Sequence, residues 1–169
     1  MVSRKVTWGL LAAWIVHDVE ELVTTPSWTR GMHRRHPAFP EVDLVHSATA
    51  IGVVGLVVAA AAADGARTRG RSAFFQSALM GFGVHSISHI GASAVLRGYT
   101  PGFFTAPVLV APFSWWAWRE LRRAGVPTSG NVGKSAALFP IVVFAAHGFA
   151  RLCARTRPQT TPTRDAHFR

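Results

Sequence analysis

The apolar positions of this chain do not alternate with a polar face at a helical period. They gather into five blocks, roughly residues 6–23, 44–63, 73–96, 102–118 and 135–153. Each block is near the ~20 residues that an α-helix needs to cross a bilayer core. The segments between them hold most of the arginines, glycines and prolines. The pattern predicts an all-α protein, a polytopic membrane helical bundle of about five transmembrane helices. The second block is the plainest, because VHSATAIGVVGLVVAAAAA carries no charge before Asp64, whereas a helix of a soluble bundle shows a polar stripe. The fourth, GFFTAPVLVAPFSWWAW, contains Pro107 and Pro112 and is expected to be short and kinked, with neighbouring helices satisfying the freed carbonyls. Residues 1–155 read as a single transmembrane domain and residues 156–169 as a disordered polar tail.

Composition supports this reading, with 49% hydrophobic against 15% charged residues and a positive mean hydropathy. The formal charge of +10 raises nucleic acid as a partner, but the positions of the arginines argue against it. They lie in RGMHRRH, ARTRGR, RELRR and the tail, flanking apolar blocks where they would meet lipid headgroups. No nucleic-acid partner is expected. Lys and Arg divide nine and nine between the two sides, so the positive-inside rule leaves orientation undecided. A cleaved signal peptide is disfavoured, since Asp18, Glu20 and Glu21 follow the first apolar run where a cleavage site should lie. Cys153 is the only cysteine and forms no internal disulfide.

Ionisable groups inside apolar blocks cost about 2.5 kcal/mol or more each, which makes every one a candidate for function. In WIVHDVEEL, His17 stands three and four residues before Glu20 and Glu21, so the imidazole and a carboxylate share a face while Asp18 points elsewhere. In HSISH, His85 and His89 are four apart on one face, a spacing from which two imidazoles chelate one metal. Blocks 1, 3 and 5 end on the same side of the bilayer. At ~1.5 Å per residue, His17, His85, His89 and His147 lie about 9 to 16 Å inward from those ends. His46 sits at the mouth of block 2 on that side. The expectation is a polar pocket in one half of the membrane, with the other half free of acids and histidines. Trp14, Phe82 and Tyr99 are possible lining residues beside His46. Trp115, Trp116 and Trp118 read as an interfacial belt. SWTRGMHRRHPAFPEVD reads as a long loop capping the pocket, and RGYTPGFF as a Pro-Gly turn between blocks 3 and 4.

HDVEE, at the end of a first membrane segment, resembles the pattern that names the HXXEE family of small bacterial integral membrane proteins. The histidine-bearing third block resembles the family too, as does the stretch with Tyr99, Thr100, Pro101, Gly102, Thr105 and Ala106. The resemblance implies that His17, Glu20 and Glu21 are the motif residues of a multi-pass protein of the bacterial inner membrane. It implies no activity.

The residues leave three functions open. The first is a membrane enzyme acting on a lipophilic, lipid or isoprenoid-like substrate, with a divalent metal (Zn or Fe) held by His17, Glu20, Glu21, His85, His89 and His147, and with His17, Glu20 and Glu21 as the catalytic set. The second dispenses with metal and uses Glu20 or Glu21 as the proton donor of a cyclase or isomerase, with aromatic side chains stabilising cationic intermediates. The third is a non-enzymatic ion or metal transporter, or a partner of another membrane protein.

Overall fold

The computed structural model describes residues 2–128 and 137–156. The polar tail expected beyond residue 156 lies outside the described residues. Five α-helices are described: α1 (Arg4–Arg35), α2 (Leu44–Arg67), α3 (Ala73–Leu96), α4 (Ala111–Arg123) and α5 (Leu138–Arg155). No strand occurs among the described residues. Side-chain oxygens start three of the helices, each satisfying an amide that has no partner within the helix. Ser3 accepts from Lys5 N at 3.2 Å, Asp43 from His46 N at 2.7 Å and Ser72 from Phe75 N at 3.2 Å.

α1 is longer than its apolar block. It runs 32 residues through Pro26 to Arg35, so much of the expected capping loop is helix. Proline deletes one intrahelical bond and crowds the preceding turn, and tertiary bonds hold the extension in place. Trp28 Nε1 donates to Tyr99 O at 2.8 Å, and Thr29 Oγ1 accepts from Val42 N at 3.1 Å. The fourth block starts later than its apolar run suggests. Residues Ala106–Val110 form a π-helical turn leading into α4, with Ala111 N bonded back to Ala106 O. Pro107 and Pro112 remove two amides there, and the widened turn accommodates the loss.

α1 packs against α2, α3 and α4, while α5 packs on α2 and along α3. Val6 and Leu10 of α1, Phe75, Leu79 and Phe82 of α3, and Leu121 of α4 form the shared buried core. The α1–α2 approach depends on Gly55, where a Cβ would stand 2.6 Å from Trp14 Cη2, and small residues allow such contact between helices. The core is thin, and the outer surface is apolar. Leu56, Val95, Val108, Phe144 and Leu152 face outward with 60–82% of their area exposed.

Three helices, α2, α3 and α5, are long and apolar enough to cross a membrane. The sequence pattern suggested five. α1 is diluted by Asp18, Glu20 and Glu21 and by its arginine-rich end, and α4 is a 13-residue helix ending in Arg119, Glu120, Arg122 and Arg123.

Candidate metal centre

One turn of α1 and one turn of α3 face each other across the bundle, and the α3–α4 connection closes over them. His17 and Glu21 are four apart on α1, as are His85 and His89 on α3, so each helix presents two groups on one face. One ligand atom from each of these four residues lies within 4.8 Å of every other. His89 Nε2 is 2.8 Å from His85 Nε2 and 3.2 Å from Glu21 Oε1. A tetrahedral ion with bonds of about 2.0–2.1 Å sets its ligand atoms on edges of about 3.3 Å. The two short separations are near that edge.

Hydrogen bonds decide which way the imidazoles present their lone pairs. Glu20 Oε1 accepts from the Tyr99 hydroxyl at 2.9 Å and from Phe104 N at 3.1 Å. Its Oε2 accepts from Thr105 N at 2.8 Å and from the Thr105 hydroxyl at 2.6 Å. All four contacts are donors, so Glu20 sits there as an acceptor-only carboxylate. Because the Thr105 proton goes to Glu20, its oxygen accepts from His17 Nδ1–H at 2.6 Å. His17 Nε2 is then a bare lone pair, fully buried and without a hydrogen-bond partner. His89 is fixed in the same sense, since Nδ1–H donates to the Pro101 carbonyl at 2.8 Å. Its Nε2 lone pair faces His85 Nε2, which donates when that nitrogen carries the His85 proton, and a carboxylate oxygen of Glu21, so a proton on His85 or a bound cation satisfies it.

The α3–α4 connection owes its shape to a turn. Phe103 N bonds to Thr100 O at 3.0 Å, with Pro101 and Gly102 at the corner and Gly102 at φ +81°, the type II arrangement that needs glycine. A Cβ on Gly102 would stand 2.7 Å from His89 Cε1 and Nδ1 and 2.9 Å from His17 Cε1. Gly102→Ala is therefore expected to cost about 1–3 kcal/mol from backbone strain alone and to push both imidazoles off their positions. Thermal unfolding together with metal retention checks this, and an unchanged variant contradicts the placement.

The remaining predicted site residues fall elsewhere. Glu20, expected among the ligands, is turned away from the cluster into its four bonds and supports His17 through Thr105. His147, also expected as a ligand, pairs with His46 instead, with His147 Nδ1 3.0 Å from His46 Nε2. Phe82 is buried and meets His17 edge-on at 6.0 Å between centroids. Trp14 packs over Gly55. Tyr99 spends its hydroxyl on Glu20, and burial, followed by that bond, pushes the phenol above its ordinary pKa. Asp18 was expected on another face, yet it is only 8% exposed and lines a cavity with Glu21, His85 and His147. Thr105 is the residue that motif spacing did not single out as part of the site. Its one signal was its place in the TPGFFTA stretch.

Three helices long and apolar enough to cross a membrane, and a partly buried cluster of three histidines and one carboxylate that could hold a metal ion, define the class: an all-helical, membrane-type protein. The chain belongs to the family described as a protein of unknown function with HXXEE motif, whose model matches residues 8–117. That span contains His17, Glu20 and Glu21 as the motif and also His85, His89 and Thr105, but not His147. No curated protein and no solved structure gives a significant match.

Proposed function

We propose that this chain is a multi-pass protein of the bacterial inner membrane and a metal-dependent enzyme acting on a lipophilic substrate, with zinc or iron held by His17, Glu21, His85 and His89. The observation that carries this reading is the convergence of two imidazole nitrogens of fixed tautomer, a third imidazole and a carboxylate on one point. Three imidazoles and a carboxylate suit Zn²⁺ or Fe²⁺. A bound ion there would supply Lewis acidity and an activated water. The chain's own part is to hold His17 and His89 with Nε2 forward and to exclude bulk water.

Two features support a substrate that arrives from the lipid. A crevice of about 310 Å³ between α3 and α5 is lined by Gly81, Val84, Phe139, Val143 and Phe144 and reaches His85. A second apolar groove of about 280 Å³ lies on the other side of Phe139, between Val54, Val58, Phe74, Ala78 and Leu138. On this reading α1 and α4 also lie within the bilayer, since the charged turn of α1 faces inward and the cation offsets its carboxylates. Glu20 is a poor proton donor in the metal-free alternative, because its four bonds all come from donors.

The chain purified in detergent without chelator is expected to carry zinc or iron and to convert a component of a bacterial lipid extract, as read by mass spectrometry before and after chelation. A protein that arrives metal-free and gains no thermal stability from added Zn²⁺ or Fe²⁺ removes the metal centre. A lipid extract unchanged by the metal-loaded protein removes the enzyme.

A further inference from the structure

We infer that the pocket between the C-terminal ends of α1 and α3 binds the phosphate of an anionic membrane lipid, whose chains lie in the apolar groove that adjoins it along α3. The inference goes beyond the metal centre and does not depend on it. The pocket measures about 460 Å³ and is lined by Trp28, Arg35 and His36 on one side and by Arg97, Gly98 and Tyr99 on the other. The groove, about 500 Å³, shares Gly98 and Tyr99 with the pocket and runs on between Ile90, Ala94, Phe103 and Phe104. A basic chamber adjoining an apolar groove matches a ligand with a charged head and hydrocarbon chains.

Position and charge point to the same occupant. α3 is one of the helices able to cross a membrane, and it ends at Leu96. Arg97 therefore stands at the depth of the headgroups, where basic pockets between helices hold anionic lipids and where tryptophan and tyrosine are enriched. No carboxylate lines the pocket, and no ion pair is found for Arg35 or Arg97 among the described residues. An anion between two such cations replaces repulsion by attraction. The walls are also fixed before any ligand arrives. Trp28 Nε1 of one wall donates to Tyr99 O of the other at 2.8 Å. Arg97 completes the end of α3 at φ +50°, with its own N bonded to Ala94 O at 3.3 Å and Gly98 N bonded to Ser93 O at 3.1 Å. Glycine is the usual residue at that point of such a turn, since a side chain is strained in the left-handed region. An arginine held there, with glycine only at the next position, marks a task for its guanidinium.

The test is lipid selectivity. Full-length protein in neutral detergent, with chelator present, is titrated with dioleoyl phosphatidylglycerol, with phosphatidylcholine of the same chains and with inorganic phosphate, and bound molecules are counted by native mass spectrometry. One phosphatidylglycerol per chain is expected to bind about tenfold or more tightly than phosphatidylcholine, and Arg35→Gln and Arg97→Gly are each expected to lose about fivefold in affinity, the worth of one basic side chain at an anionic headgroup. Arg34→Gln removes the same charge from the neighbouring residue of α1, which does not line the pocket, and is expected to bind as wild type does. Arg97→Gly is also expected to melt no lower than wild type, because glycine takes the left-handed turn without strain, so its loss of lipid is not a loss of fold. Equal affinity for the two lipids, an equal loss in Arg34→Gln, or undiminished binding in both Arg35→Gln and Arg97→Gly overturns the site. Inorganic phosphate bound as tightly as the lipid overturns the part given to the groove.

Discussion

Replacing His85 and His89 together by alanine is expected to reduce metal retention to background and to abolish the thermal stabilisation that Zn²⁺ gives the wild-type chain. In the proposed centre the pair would supply two of the four ligands, and both come from one turn of α3, so no neighbouring turn can substitute for them. The stabilisation follows from mass action: an ion at a hundredfold excess over its Kd favours the folded state by about 2.7 kcal/mol. That gain is read within each protein, with and without metal, so the cavity left by two missing imidazoles does not confuse it. Calorimetry and metal analysis on the same samples decide the outcome. A double variant that keeps its metal, or keeps the full gain, shows that the ion is held elsewhere.

Much of the bundle was legible from the chain, and for a physical reason. The block at 73–96 coincides with α3, and the block at 44–63 with α2 but for its final turn, because an apolar stretch bounded by capping residues leaves the backbone few alternatives. α1 was legible at its start and not at its end. The apolar run ends at residue 23 and SWTRGMHRRHPAFPEVD read as a loop, whereas the bonds that carry the helix onward, from Trp28 to Tyr99 and between Thr29 and Val42, are made outside the helix. The number of membrane-capable helices was overstated for a different reason: the carboxylates and arginines of α1 dilute its apolar run, and α4 is a 13-residue helix with a charged end.

The candidate site divides along the same line. Spacing of four within a helix announces a shared face, so His17 with Glu21 and His85 with His89 could be paired before any coordinates. Glu20 and Glu21 could not be told apart by spacing, since both suit a partner at His17. What separates them is the α3–α4 connection, 79 to 85 residues further on, which claims Glu20 with two amides and two hydroxyls. Asp18 was set aside because it points away from His17. That direction leads into the bundle toward α5 and not outward, and only the packing of α1 on α2 and α5 on α2 makes it so.

Thr105→Val is expected to lower metal affinity by about 10- to 100-fold, the usual cost of removing the partner of a ligating imidazole. The variant preserves the shape of the side chain and deletes the hydroxyl that links Glu20 to His17. His17 Nδ1–H then faces a methyl group, and the ring is free to turn or to exchange tautomers, so its Nε2 lone pair is no longer held toward the cluster. Glu20 loses one of four donors, and leaving such a group short of a buried bond costs about 1–3 kcal/mol of stability. Thr105→Ser restores the hydroxyl and is expected to recover most of the affinity. Tyr99→Phe also removes one donor from Glu20 but touches neither His17 nor its link, so its effect should fall on stability and leave affinity within a few-fold. The Glu20→Gln change is harsher than either, because an amide nitrogen must then face donors that a carboxylate accepts. Isothermal titration with Zn²⁺ across these variants separates a positioning role from a structural one: equal loss of affinity in Thr105→Val and Tyr99→Phe, or no recovery in Thr105→Ser, contradicts the Glu20–Thr105–His17 link.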